Sequence, residues 1–233
     1  MNSALKLLAV AVVALLAGFL GAWGFSATSL GERATERHLL SNPGILPKLA
    51  EAYQAQAGAE LVGDLREPLE TPFAGAVLGN PQGKRVLVEF LDYQCGYCRQ
   101  ATGEIDAMLA ADPELKVVVR EWPIFPGSEQ AARLALAAAE QGKYRAFHDA
   151  MFAADAVDEA ALGAAMEKAG IDAGRARRVA ASNEVTAELA KNNELAGQLE
   201  LEGTPGWVAG GNIIYGYVPR ARLEEALDAA SDG

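Results

Sequence analysis

Apolar residues run along this chain in three rhythms. From Leu7 to Phe25 they are continuous and uncharged, close to the ~20 residues that cross a bilayer. Between 26 and 84 they thin out, charge appears, and Pro43, Pro47, Pro68, Pro72 and Pro81 interrupt the pattern, as in a stalk or linker. Within that segment Ser41 or Asn42 followed by Pro43 is a helix-start signal. Ile45, Leu46, Leu49, Ala52 and Tyr53 then recur at the spacing of one helical face. That stripe packs either on its own domain or on a neighbouring chain. From Arg85 the rhythm changes again. Val86-Leu87-Val88-Glu89-Phe90-Leu91, introduced by the turn Asn80-Pro81-Gln82-Gly83, suits a strand covered on both faces.

A helix is predicted after that strand to about Ala111, and Lys116 to Glu121, with three consecutive valines, reads as a second strand. Strand, helix and strand in this order imply a parallel pair with a crossover. Residues 128–200 hold only helical patterns, with breaks expected at Gly142, Gly170 and Gly174. Strand signals return at Gly206 to Ala209 and Asn212 to Tyr217, joined through Gly210-Gly211 as a hairpin. Pro219 opens a last helix, Arg220 to Ala230. The expected class is α/β in five parts: 1–25 as signal peptide or membrane anchor, 26–75 as helical stalk and linker, 76–127 and 201–233 as the two halves of a sheet domain, and 128–200 as an all-helical insertion.

Charge narrows the setting. Lys6 ahead of the apolar run, with mixed charge behind it, places the remainder outside the cytoplasm. Small residues at Ala22, Gly24 and Ser26 suit a cleavage site, so a signal peptide and an anchor stay equally open. A net charge of -11 argues against nucleic acid and anionic membrane surfaces as partners, because both repel an acidic face.

The chain has 2 cysteines, and both fall in Cys95-Gly96-Tyr97-Cys98, where the first strand ends and a helix begins. Side chains at i and i+3 share one helical face, close enough for a disulfide. Cys95, at the helix start, meets unpaired N–H groups and the positive end of the dipole, which favours its thiolate. Cys95 is therefore the expected nucleophile and Cys98 the resolving thiol. Other readings of the pair are weaker. A zinc site needs four ligands, and beyond the thiols only His38 and His148 are available. A structural disulfide across two residues would restrain the unfolded chain little. Copper(I) between two soft thiolates remains a rival, as part of a binding module without turnover. No cofactor or resident metal is expected.

The segments Val88-Glu89-Phe90-Leu91-Asp92-Tyr93-Gln94-Cys95-Gly96-Tyr97-Cys98, Trp122-Pro123-Ile124-Phe125, Ala131-Ala132-Arg133-Leu134-Ala135, Phe147-His148-Asp149 and Gly203-Thr204-Pro205 together resemble the DsbA family, particularly its ScsC-like branch. The resemblance spans about residues 76 to 230. It implies a thioredoxin fold with an inserted helical domain, a periplasmic setting, secreted proteins with cysteines as substrates, and a membrane redox partner. Thr204-Pro205 looks like the family's cis-proline loop, which with Gly96 and Tyr97 would contact substrate; a cis bond is affordable chiefly before proline. Gly206 stands where larger residues are common in such proteins.

Glu89 lies inside an apolar strand, where a carboxylate without a partner is costly. In the family an acid at this position lies beneath the cysteines and shuttles protons for the resolving thiol. The alternative is a structural carboxylate that reaches solvent or pairs with Arg120 or Lys116. His148 reads as a packing residue. Between the cysteines neither histidine nor proline is present, and Gly-Tyr resembles the pair in periplasmic isomerases. An isomerase or mixed oxidase/isomerase is therefore expected ahead of a simple dithiol oxidase. The stripe in residues 30–60 precedes the catalytic domain as does the oligomerising stalk of ScsC-like proteins, some of which resemble trimers. The expectation is a homo-oligomer, with proline-rich linkage around Pro68 and Pro72 letting the catalytic units reorient.

Overall fold

The structure, a computed structural model, describes residues 3–26 and 29–231. Two units are described separately, residues 1–54 and 55–233.

The first unit holds α1 (Ser3–Ser26), α2 (Ser29–Ser41) and the opening turns of α3 (Ile45–Glu70). In α1 the span Leu8–Phe25 has a mean hydropathy of 2.2, enough by length and composition to cross a membrane. The Asn42-Pro43 step separates the next two helices, and the Asn42 side-chain amide closes α2 by donating to the His38 carbonyl at 2.9 Å. Along α3, Leu46, Leu49 and Tyr53 are exposed, and Ile45 is half-buried. The Ala52 side chain lies outside the described residues.

The second unit is built on one sheet. Its strands are β1 (Val77–Gly79), β2 (Arg85–Leu91), β3 (Leu115–Glu121), β4 (Gly206–Ala209) and β5 (Asn212–Tyr215), in the order β1-β3-β2-β4-β5. The β2–β3 pair is parallel and linked by α4 (Gly96–Ala111), as the sequence pattern implies; the other pairs are antiparallel. Five helices follow β3: α5 (Glu129–Ala139), α6 (Tyr144–Phe152), α7 (Glu159–Ala169), α8 (Ala173–Ala180) and α9 (Asn183–Gln198). The last described element is α10 (Arg220–Ser231).

Strand register sorts the core into two layers. Partners in register share a face, so Leu87, Glu89 and Leu91 point with Val117, Val119, Glu121 and Trp207 toward one side. There the core includes Cys95, Cys98, Ile105, Leu136, Phe147 and Leu223. Val88, Phe90, Val118, Arg120 and Val208 take the other face, which is covered by Val62, Leu69, Leu195 and Leu199.

Three sequence expectations change. Residues 55–70, expected as stalk, are the second half of α3 and cover the sheet, with Val62 and Leu69 fully buried. Nor do Pro68 and Pro72 bracket a loose linker: the buried Arg120 guanidinium donates to the carbonyls of Pro68, Leu69 and Thr71. Gly174 lies inside α8, and the break falls earlier, where Gly170 closes α7 in the left-handed conformation and the Asp172 side chain caps the next helix. β1 carried no sequence signal beyond its two apolar residues.

Candidate active site

Cys95 is the N-cap of α4, with extended backbone (φ −74, ψ 116), so its sulfur sits over the free N–H groups of the first turn. Both cysteines are reduced and buried. The Cys95 Sγ lies 3.1 Å from the Thr204 carbonyl oxygen, and the Thr204–Pro205 peptide is cis. The Thr204–Pro205 loop therefore faces the Cys95 sulfur. Burial opposes ionisation of Cys95, yet its thiol is lowered to about 5. The largest contribution is the hydrogen bond from the Cys98 thiol, followed by the Thr204 side chain and the N–H groups of Cys98 and Tyr97. Thr204 Oγ1 has no other hydrogen-bond partner, which leaves it to donate to a thiolate. Cys98 moves the opposite way. Burial raises it far above the usual thiol range, helped by its bond to Cys95 and the charge of Glu89. The pair therefore holds one ready nucleophile and one thiol that needs help to lose its proton.

Glu89 supplies an ionisable group at that place. It is 3% exposed, and burial alone pushes it up to about 8. Pairing with Lys116 or Arg120 is excluded by register, since both side chains belong to the opposite face; Lys116 donates to the Glu70 carbonyl instead. Gly96 leaves the helix start open, and Tyr97, 63% exposed, stacks on Tyr217 with ring centroids 6.5 Å apart. At Gly206 a Cβ would meet the Leu201 side chain at 2.7 Å, which accounts for the small residue after Pro205.

Three participants were missed in the sequence. Buried Asp92 accepts from the N–H groups of Gln94, Ile124 and Phe125 and from the Ser128 hydroxyl, all within 2.9 Å, and so ties the 122–128 loop to the cysteine segment. Tyr217 backs Tyr97. Glu121, fully buried at the end of β3, accepts from the Tyr93 and Tyr144 hydroxyls at 3.1 and 2.8 Å. A charged pair, Arg120-Glu121, closing a valine run was the available signal. His148 packs among Tyr93, Tyr144 and Phe152, and burial holds its ring neutral, lowered to about 3.

A Cys-x-x-Cys pair at a helix start, set on a strand-helix-strand unit and faced by a cis-proline, is the arrangement of a thioredoxin fold. The family model for the DSBA-like thioredoxin domain matches residues 86–228, and the chain belongs to that family. A thioredoxin-like oxidoreductase from Silicibacter pomeroyi DSS-3 is 39% identical, with a TM-score of 0.68 over 72% of this chain and 98% of that one. Proteus mirabilis ScsC in a transitional conformation is 25% identical, with a TM-score of 0.66 over 88% and 95%. Among curated relatives, a Na(+)/H(+) antiporter NhaA 3 of Salinispora tropica is 30% identical over 190 residues, 78% of this chain. The chain spans 29% of that antiporter's length.

Proposed function

We propose that this protein is a thiol-disulfide oxidoreductase acting outside the cytoplasm on disulfides of secreted proteins, as an isomerase or mixed oxidase/isomerase. The observation that carries the reading is Cys95 at the α4 N-cap, bonded across to Thr204 and lowered to about 5. The Cys95 thiolate attacks a client disulfide, forming a mixed disulfide and expelling the client's other sulfur as thiolate. In isomerisation a different client thiolate attacks the client sulfur bonded to Cys95, a new client disulfide forms, and Cys95 leaves as thiolate. If the client stalls, Cys98 gives its proton to Glu89 and attacks Cys95 Sγ, which frees the client. Run backward from the oxidised pair, the same steps make a disulfide, and a membrane redox partner must then reoxidise the cysteines. Thr204, Pro205, Gly96 and Tyr97 form the client contact.

Two features favour isomerisation. A nucleophile near 5 lies between the ~3.5 of a strong oxidant and the ~7 of thioredoxin. That intermediate acidity suits an exchanger that is neither a strong oxidant nor a reductant. The exposed stripe Leu46, Leu49, Tyr53 suits assembly of several chains, trimers included, and several active sites around one client raise local concentration. The apolar α1 supports either a signal peptide or an inner-membrane anchor. In the rival binding-module reading, the two thiolates carry copper(I) or the fold holds a client without turnover.

Trapping tests the site. Cys98→Ser is expected to accumulate mixed disulfides with scrambled ribonuclease, and Cys95→Ser to form none. The reverse pattern would assign the nucleophile wrongly, and a Cys98→Ser protein that forms none would favour the binding module. Direction is tested by recovery of scrambled ribonuclease with the whole chain and with residues 55–233, alongside light scattering. The cut falls ahead of Ala55 because Val62 and Leu69 belong to the catalytic core. A monomeric whole chain, or equal recovery by the short form, would make simple dithiol oxidation the better reading.

A further inference from the structure

Glu89 is not the sole carboxyl buried on its face of the sheet. Glu121 shares its face of the sheet: Glu89 pairs in register with Val119, so Glu121 is its diagonal neighbour one pleat nearer the cysteine end of β2. Such neighbours have Cα atoms ~7–8 Å apart, within electrostatic reach in an apolar layer. No cation is hydrogen-bonded to either group among the described residues, since Arg120 faces the other layer. Two carboxylates this close in a dry layer do not both ionise readily, so their titration belongs to the pair.

The two differ in partners. Glu121 Oε1 receives both tyrosine hydroxyls, and Oε2 is buried without a partner. Glu89 receives no hydrogen bond from the described residues. Donated hydrogen bonds favour the charged form. We propose that Glu121 is a positioning residue for the resolving step, acting through Glu89: the two carboxyls share one proton, Glu121 holds the charge, and Glu89 holds the proton until higher pH. The inference rests on reading Glu89 as the proton acceptor for Cys98.

The neighbours fit this division. Tyr93, after β2, and Tyr144, on α6, are both held well above the usual tyrosine range by burial, so they remain donors. His148 on α6 is neutral, with Nδ1 unpartnered. Asp92 adds negative charge near Glu121, Cys98 faces Glu89 from α4, and Asn192 on α9 donates to the Glu121 backbone carbonyl. Burial raises both carboxyls to about 8; at Glu121 the two tyrosine hydroxyls oppose the rise, while the charges of Asp92 and Glu89 add to it. The charge on Glu121 makes Glu89 a stronger base that becomes available later in a pH titration. In the step itself the Cys98 proton moves to the Glu89 carboxylate, the Cys98 electron pair forms the bond to Cys95 Sγ, and the bond from Cys95 to the client sulfur breaks with the client leaving as thiolate.

The test uses the reduced whole chain and one equivalent of dithiobis(nitrobenzoate) as the disulfide. Attack by Cys95 releases the first thionitrobenzoate, and attack by Cys98 on the resulting mixed disulfide releases the second. The second phase is followed against pH. Glu121→Gln is expected to move its midpoint down by about one pH unit. Tyr144→Phe, which removes one donor and keeps the carboxyl, is expected to move it the same way by less, and serves if the first variant does not fold. Glu89→Gln is expected to remove the midpoint. Unmoved midpoints in the Glu121 and Tyr144 variants, beside a flattened Glu89 profile, would overturn the coupling alone. A Glu121→Gln profile as flat as that of Glu89→Gln would overturn it too, by making Glu121 the acceptor. An unaltered Glu89→Gln profile would instead remove the reading on which the inference rests.

Discussion

Arg120 and Glu89 are buried ionisable residues on adjacent strands of one sheet, facing opposite layers. Arg120 has a full set of partners: Glu188 at 2.8 Å, the Asn192 side-chain oxygen, and the carbonyls of Pro68, Leu69 and Thr71. Glu89 has none of this, and burial drives it toward the neutral acid. A buried charge with every donor used can hold chain segments together but has no proton to exchange. A buried acid without partners stabilises nothing, yet it can take a proton near neutral pH, which suits a proton acceptor beside a thiol. The layer with Arg120 fixes the second half of α3 to the sheet; the layer with Glu89 holds the two cysteines.

The largest effect is expected on the Arg120 side. Arg120→Met leaves Glu188 and three carbonyls without their donor, and breaking a buried pair in this way costs roughly 3 to 5 kcal/mol. Urea denaturation of the variant should show that loss, while the Cys95 thiolate absorbance of the folded protein still titrates at about 5. A stability change under about 1 kcal/mol would mean that the clamp on Pro68, Leu69 and Thr71 is not what holds α3 down.

Much of this contrast was legible in the sequence, and the rest failed for identifiable reasons. Glu89 stood out because a carboxylate in an apolar strand is costly, and Cys95-Gly96-Tyr97-Cys98 marked the helix start. The strand ends Leu91 and Glu121 and the hairpin through Gly210-Gly211 could be read from alternation and turn residues. The face of each charged residue could not be assigned, because that requires the register of β2 against β3. Arg120 was for this reason considered as a partner for Glu89, which the register forbids. Residues 55–70 misled because prolines look alike in a loose linker and in the last turn of a helix. What makes Pro68 part of the core is Arg120, more than fifty residues later in the chain. Asp92 and Glu121 were passed over because their partners, Ser128, Tyr93 and Tyr144, meet them only in three dimensions.

On the Glu89 side the effect should carry the opposite sign and depend on pH. The folded-state value, about 8, lies above the ordinary 4.5, so the native protein binds more protons than the unfolded chain between those limits. The contribution of Glu89 is therefore most favourable below pH 4.5 and is lost as pH rises toward 8. Glu89→Gln removes that loss. Relative to the parent, its stability should gain a few kcal/mol as pH is raised through this window. Taking the difference between the two proteins cancels His148, whose depressed value gives a contribution present above 6.5 and lost as pH falls toward 3. A difference that stays flat with pH would mean that Glu89 is ionised and solvated in the native state.

The smallest effect separates the parts of the Arg120 clamp. Glu188 is 12% exposed and makes an ion pair to Arg120, whereas the Leu69 carbonyl acceptor is buried. Glu188→Gln keeps an oxygen within reach of Nη1 and removes only the charge. A charge-assisted bond is about twice as strong as a neutral one, so the expected loss is on the order of 1 kcal/mol. Amide exchange at Thr71, whose N–H bonds to the Glu67 carbonyl at 3.1 Å, should stay as slow as in the parent. If Glu188→Gln instead costs as much as Arg120→Met and frees Thr71 to exchange, the ion pair is what keeps a charge in this layer. The carbonyls of Pro68, Leu69 and Thr71 would then be consequences of its placement, and the prolines flanking Leu69 would regain the freedom of a linker.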